Sequence, residues 1–133
     1  MYLFDTDTIT NIFKKKPSEK LVRKLGYIDK SQQFVSAITI FEIIYGVRKS
    51  TNPDHHMKNL KDILLPSVNV LDFDMKSAWV CGRLRAELEK QGQPLDIADL
   101  QIASIAIAND MTLITGNTNH FKRISELKID NWL

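Results

Sequence analysis

The chain has 133 residues, 44% hydrophobic and 26% charged, with five Gly, four Pro and a single Cys; this composition fits one ordinary globular domain spanning residues 1–133 and excludes collagen-like, mucin-like or wholly disordered character. Cys81 has no second cysteine to pair with, so no intrachain disulfide can form and a reducing, cytoplasmic setting is expected. The net charge of +2 is unevenly spread, with nine Lys/Arg against five Asp/Glu in residues 1–50 and nine against eleven in residues 51–133, a basic bias compatible with a polyanionic partner.

Met1–Thr10 carries Asp5 and Asp7 in its first apolar stretch and is not expected to be a signal peptide. Tyr2–Phe4 reads as a strand ending at Asp5, with Thr6 and Asp7 supplying cap chemistry for a helix to about Lys14. Pro17 and Ser18 open a second helix that Gly26 ends, and Phe34–Ala37 is a second strand. A helix from Thr39 carries Ile40, Phe41, Ile43, Ile44 and Val47; the next runs from Pro53 to about Leu65, where Pro66 is expected to stop it. Val68–Leu71 is a third strand. Asp74 caps a long helix with Ala78, Cys81, Leu84 and Leu88 at helical spacing, closed by Gly92. Leu95–Ala108 gives another helix, Met111–Thr115 a fourth strand, the region of Phe121 a helical turn and Leu127–Ile129 a fifth strand.

Strands alternating with helices predict an α/β fold around a mainly parallel sheet of about five strands, with a ligand site beyond the carboxyl ends of the strands. The longest apolar tracts, Ile38–Val47 and Ile102–Ala108, are interrupted by Glu42 and Ser104. Both fall short of the roughly 20 residues a membrane span needs.

Three acids stand where apolar residues are expected. Asp5 ends a strand that is central if the chain starts the sheet, Glu42 lies within Ile38-Thr-Ile-Phe-Glu-Ile-Ile-Tyr-Gly, and Asp99 lies between Ala98 and Leu100. Each has a structural explanation: a helix cap for Asp5, a Lys or Arg partner for Glu42, a favourable helix dipole for Asp99. None of these supplies a cation from the neighbouring sequence, which is apolar or acidic, with Asp7 and Asp96 nearby. A divalent metal supplies the missing counter-charge, and oxygen ligands select Mg2+ or Mn2+ over zinc.

The residues Asp5-Thr6-Asp7, Glu42 with Tyr45-Gly46, Gly92-Gln-Pro-Leu-Asp-Ile-Ala-Asp99-Leu-Gln-Ile-Ala, and Leu113-Ile-Thr115-Gly-Asn117 followed by Phe121 resemble, in order and spacing, the PIN-domain ribonucleases. The likeness extends to Asp130-Asn131-Trp132 and is greatest to the VapC-type toxins of toxin-antitoxin pairs. The resemblance implies a single PIN-like domain in which Asp5, Glu42 and Asp99 bind Mg2+ or Mn2+. Thr6 and Thr115 orient ligands or a water, and Asp99 or Asp96 accepts the proton of an attacking water. It further implies RNA cleavage leaving a 5′-phosphate and a 3′-hydroxyl, an antitoxin that masks the acidic groove, and a homodimer using the helix around Ile43, Ile44 and Val47. Many members carry a further Asp shortly after the position of Thr115; here Gly116, Asn117, Thr118 and Asn119 follow, and Asn117 brings an amide in place of the charge a second metal needs. Toxins that cleave initiator tRNA are similar around Asn117–Phe121 and Trp132, which implies a tRNA substrate. Two alternatives remain at this level. One is a nuclease-like fold that only binds RNA or an antitoxin; the other is a phosphoacceptor receiver module using Asp72.

Overall fold

A computed structural model describes all residues from Met1 to Leu133. Strand β1 (Tyr2–Phe4) is flanked on both sides, by β2 (Gln33–Ser36) and by β4 (Thr112–Ile114), which is why Leu3 and Phe4 are completely buried. With β3 (Asn69–Leu71) outside β2 and β5 (Ile129–Asp130) outside β4, the sheet has the order β3-β2-β1-β4-β5, and every pairing is parallel. The chain therefore builds outward from β1 to β2 and β3, returns across the sheet, and builds outward again through β4 and β5. At that reversal, between β1 and β4, the connections leave opposite faces of the sheet and open a crevice beyond the strands' carboxyl ends.

Parallel strands need crossovers, and helices supply them on both faces. Helices α1 (Thr6–Asn11) and α2 (Glu19–Leu25) join β1 to β2. Helices α3 (Ala37–Lys49), α4 (Pro53–Asn59) and α5 (Leu65–Ser67) join β2 to β3. Helices α6 (Met75–Lys90) and α7 (Ile97–Ala108) join β3 to β4, and the short α8 (Thr118–Phe121) precedes β5. The pleat sorts the strand residues between two cores. Leu3 and Leu113 pack with Cys81, Leu84, Leu88 and the buried run Ile102–Ala106 of α6 and α7. Phe4 and Ile114 pack on the other face with Ile9, Leu21, Leu60, Leu64 and Trp132. No helix is long and apolar enough to cross a membrane.

Several element ends differ from the sequence reading. Helix α1 stops at Asn11 instead of Lys14, and Asn11 is buried with its Oδ1 accepting from the Ser18 N–H at 2.8 Å, which bends the chain toward α2. Helix α3 begins two residues early because Ser36, the last residue of β2, is its cap, with Oγ accepting from the Thr39 N–H at 3.0 Å. Pro66 does not end its helix at Leu65. The turn Leu60–Leu64 widens so that the Leu65 N–H bonds to the Leu60 carbonyl, drawing the backbone away from the clash a proline ring makes with the preceding turn, and the helix closes at Ser67. On α6 the buried line is Ser77, Cys81, Leu84 and Leu88; Ala78 is exposed. The fifth strand falls at Ile129–Asp130 rather than Leu127–Ile129. In α3 only Thr39 is fully buried, while Phe41 and Tyr45 are 68% and 59% exposed, so the apolar circumference of this helix is left largely uncovered within one chain.

The end of α6 has the form expected when Gly follows a helix. The Gly92 N–H bonds to Glu89 O at 3.1 Å and the Gln93 N–H to Leu88 O at 2.8 Å, with Gly92 at φ +69°. Gly82, in the middle of the same helix, is exposed, and an added Cβ there meets nothing within 4 Å. Gly92→Ala is therefore expected to destabilise the protein by about 1 kcal/mol, and Gly82→Ala to stabilise it by about 0.5–1 kcal/mol. Urea unfolding of both variants checks this; changes of the same sign would contradict the assigned helix end.

Candidate active site

Asp5 sits where β1 ends, at the reversal point of the sheet, and is buried. It is also the cap of α1: Oδ1 accepts from the Thr6 N–H at 2.8 Å. Its second oxygen accepts from the Thr115 hydroxyl at 2.8 Å, and Thr115 Oγ1 in turn accepts from the Asn117 N–H at 2.9 Å. Thr115 follows β4, so this bond joins the ends of the two strands that flank the crevice, and its full burial makes it a support for Asp5 rather than a group open to solvent. Burial of Asp5 dominates its titration. The pKa rises from 3.8 to about 6, with the charges of Asp7 and Asp99 adding to the rise and the Thr115 and Thr6 hydrogen bonds opposing it.

Glu42 projects from the second turn of α3 and is half-buried, in keeping with the apolar sequence around it. The Thr6 hydroxyl donates to its Oε1 at 2.7 Å. Asp99, in the first turn of α7, is half-buried, and its carboxylate forms no side-chain hydrogen bond or ion pair within the chain. Its pKa is raised, first by burial and then by the charges of Asp96 and Glu42, with His120 pulling the other way. Asp96 itself is exposed, makes no cap hydrogen bond and does not line the cleft, and its charge helps to raise the pKa of Asp99.

An open cleft of about 550 Å3 is lined by Asp5, Thr6, Asp7, Glu42, Asp99, Gly116 and Asn117, with no hydrophobic residue among them. Asp7 and Gly116 were not among the candidates from sequence. The Asp7 carboxylate accepts from the Gly116 N–H at 3.0 Å, and a Cβ on Gly116 would lie 2.8 Å from both Asp7 Oδ2 and Leu133 Cδ1. The Asp-Thr-Asp repeat at the end of β1 was the available signal for Asp7. Asn117 lines the cleft, and its amide nitrogen lies 2.8 Å from His120 Nδ1. Beside the acidic cleft, and sharing Thr6 and Glu42 with it, runs a more enclosed, largely apolar groove of about 310 Å3 that includes Phe13, Ile43, Val47, Leu60 and Leu64. Asp72 lies exposed after the edge strand β3 and lines neither space, which removes the receiver-module alternative.

All five ion pairs of the chain lie elsewhere, on Lys24, Arg83, Arg85 and Lys128. The cleft thus gathers carboxylates without a Lys or Arg partner. An all-oxygen, net-negative donor set of this kind fits a hard divalent cation. The side chains as they stand are spread around the cleft and are not drawn into a ligating cluster of three.

The profile of the PIN domain matches residues 2–127. The chain belongs to the PIN-domain family. Within that family it is 36% identical to Ribonuclease VapC2 of Rickettsia felis, over 99% of this chain and 98% of that protein. It is 30% identical to the tRNA(fMet)-specific endonuclease VapC of Shigella flexneri, over 98% and 97% of the two chains. Its structure superposes on a chain of the crystal structure of DNA-bound VapBC from Salmonella typhimurium with a TM-score of 0.91, at 31% identity and with 99% and 98% of the chains covered. The five-stranded parallel sheet is thus that of a PIN domain in this group.

The shifted titration of Asp5 fixes a pH dependence. Folded protein holds the extra proton between pH 3.8 and about 6, so this contribution to stability is fully present below 3.8 and is lost as pH rises through about 6. The shift corresponds to at most about 3 kcal/mol. In EDTA, Asp5→Asn should melt above the wild type at pH 7.5, and the gap should close by pH 4. A gap that does not change with pH would show that the Asp5 carboxylate carries no desolvation penalty.

Proposed function

We propose that this chain is a divalent-metal-dependent endoribonuclease, the toxin of a toxin-antitoxin pair, acting on tRNA, with initiator tRNA as the first candidate. The observation that carries the reading is the acidic cleft at the reversal of the sheet, where Asp5, Glu42 and Asp99 stand without any protein cation. Membership of the PIN family, and relatives named as VapC ribonucleases and a tRNA(fMet)-specific endonuclease, support the substrate class.

Mg2+, or Mn2+ in its place, held by Asp5, Glu42 and Asp99, would polarise the scissile phosphate and make a bound water more acidic. The chain's own groups divide the remaining work. Asp5 and Glu42 are each held by donors, Thr6 N–H and Thr115 for the first and the Thr6 hydroxyl for the second, which restrict the rotamers of both side chains. Asp99 has an uncommitted carboxylate and is the group able to accept the proton of the attacking water. The Asn117 amide nitrogen lies 2.8 Å from Nδ1 of His120, so the two side chains stand together beside the cleft as a pair for a phosphate oxygen. Lys14, Lys15 and Lys16 are exposed and outside the ion pairs, available to an RNA backbone, whereas Lys20 and Lys24 are engaged at the C-terminal segment. Phe121 and Trp132, which carried part of the likeness to initiator-tRNA toxins, are buried, with Trp132 packed on Tyr2 and Phe4; they shape the fold and leave substrate contact to Asn117 and His120.

The bare face of α3, with Phe41, Ile44 and Tyr45 exposed, is the surface we assign to a homodimer, and the apolar groove beside Glu42 is the seat for an antitoxin segment. Light scattering at micromolar concentration should return twice the mass of one chain. The purified protein should cleave initiator tRNA with Mg2+ or Mn2+ and lose that activity in EDTA. Asp99→Asn should lower the rate roughly 10²–10⁴-fold while melting in EDTA at or above the wild-type temperature, since a like charge has been removed. Intact RNA under all metal conditions, from folded protein, would leave the binding-only alternative in place.

A further inference from the structure

Three hydroxyls form a line that ends on Glu42. Ser36 and Thr39 are completely buried; Ser36 Oγ lies 3.3 Å from Thr39 Oγ1, Thr39 Oγ1 lies 3.1 Å from Thr6 Oγ1, and Thr6 Oγ1 lies 2.7 Å from Glu42 Oε1. We propose that this line is a one-way hydrogen-bond chain that aims the Glu42 carboxylate into the cleft, and that Thr39, which does not line the cleft, is a positioning residue acting through Thr6.

Proton counting gives the chain its direction. A carboxylate only accepts, and a hydroxyl has one proton to donate. The shortest of the three contacts is the one to Glu42, so the Thr6 proton goes there. Thr6 Oγ1 can then only accept from Thr39, and Thr39 Oγ1 can only accept from Ser36. Ser36 Oγ is itself fixed, because it accepts from the Thr39 N–H at 3.0 Å as the cap of α3. Each donation strengthens the next acceptor's own donation. Capping explains why Ser36 is present. It does not explain the hydroxyl of Thr39, which reaches across to α1 rather than to a carbonyl of its own helix. The effect is to tie the glutamate of α3 to the residue that follows Asp5, so that an acid at the end of β1 and an acid on α3 share one support.

The inference rests on the cleft being a cation site, and calorimetric titration of metal-free full-length protein with Mn2+ separates the two claims. Thr39→Val keeps the shape and removes the hydroxyl; Thr39→Ser keeps the hydroxyl. Affinity for Mn2+ should fall roughly tenfold in Thr39→Val and stay near wild type in Thr39→Ser. In a Glu42→Gln background Thr39→Val should add nothing. Wild-type protein that takes up no Mn2+ would remove the cation site and the chain together. Wild-type binding matched by Thr39→Val, or an undiminished loss in the Glu42→Gln background, would remove the chain alone. If Thr39→Val melts far below wild type in EDTA, Thr39→Ala against Thr39→Ser decides the question: a difference in Mn2+ affinity supports the chain, and equal affinity overturns it.

Discussion

Asp5 is held in a place that opposes its charge. It ends the central strand of a sheet whose neighbouring strands bury it, and the carboxylates nearest to it add repulsion to the desolvation. Two donors, the Thr6 N–H and the Thr115 hydroxyl, stabilise the charged form, yet they do not outweigh burial, and the pKa stays near 6. Globular proteins tolerate such a group when a structural or functional gain offsets it. Here the cap on α1 is one gain, and it needs only one of the two carboxylate oxygens.

The rest of the site follows from that constraint. The reversal between β1 and β4 sends connections to opposite faces, leaving room beyond Asp5 for acids from two other elements, Glu42 on α3 and Asp99 on α7. The groups that hold Asp5, Asp7 and Glu42 in place are neutral. Thr6, Thr39, Ser36 and Thr115 provide hydroxyls, and Gly116 and Asn117 provide backbone N–H groups. Neutral donors orient a carboxylate without cancelling its charge, whereas an arginine in the same place would satisfy the site and close it. The cationic side chains that do form ion pairs do so on α6, on α2 and near β5, away from the cleft.

Much of this was legible from residue order. The apolar run ending at Asp5 located the central strand, and Gly92, Ser18 and Asp74 marked helix ends that the backbone hydrogen bonds reproduce. What the sequence hid depends on which face a residue turns. Asp96 and Asp99 sit three apart on one helix, yet the first stands at the cap and looks to solvent. Glu42 is half-buried among apolar neighbours that divide between two sides of α3, Ile40 and Ile43 toward the core and Phe41, Ile44 and Tyr45 toward the outside, a division the sequence alone does not show. Trp132 looked like a substrate signal and is a core residue. Ser36 and Thr39 carried no signal at all, since a Ser at a strand end and a Thr one turn later read as a cap and nothing more.

Everything in the proposed chemistry depends on the carboxylates of this cleft binding a divalent cation. Crystals grown with Mn2+ and measured at the manganese absorption edge address it most directly. An anomalous peak is expected in the cleft, with oxygen ligands from Asp5, Glu42 and Asp99. A cleft without a peak at millimolar Mn2+, or a peak whose ligands exclude Asp5 and Asp99, would contradict it.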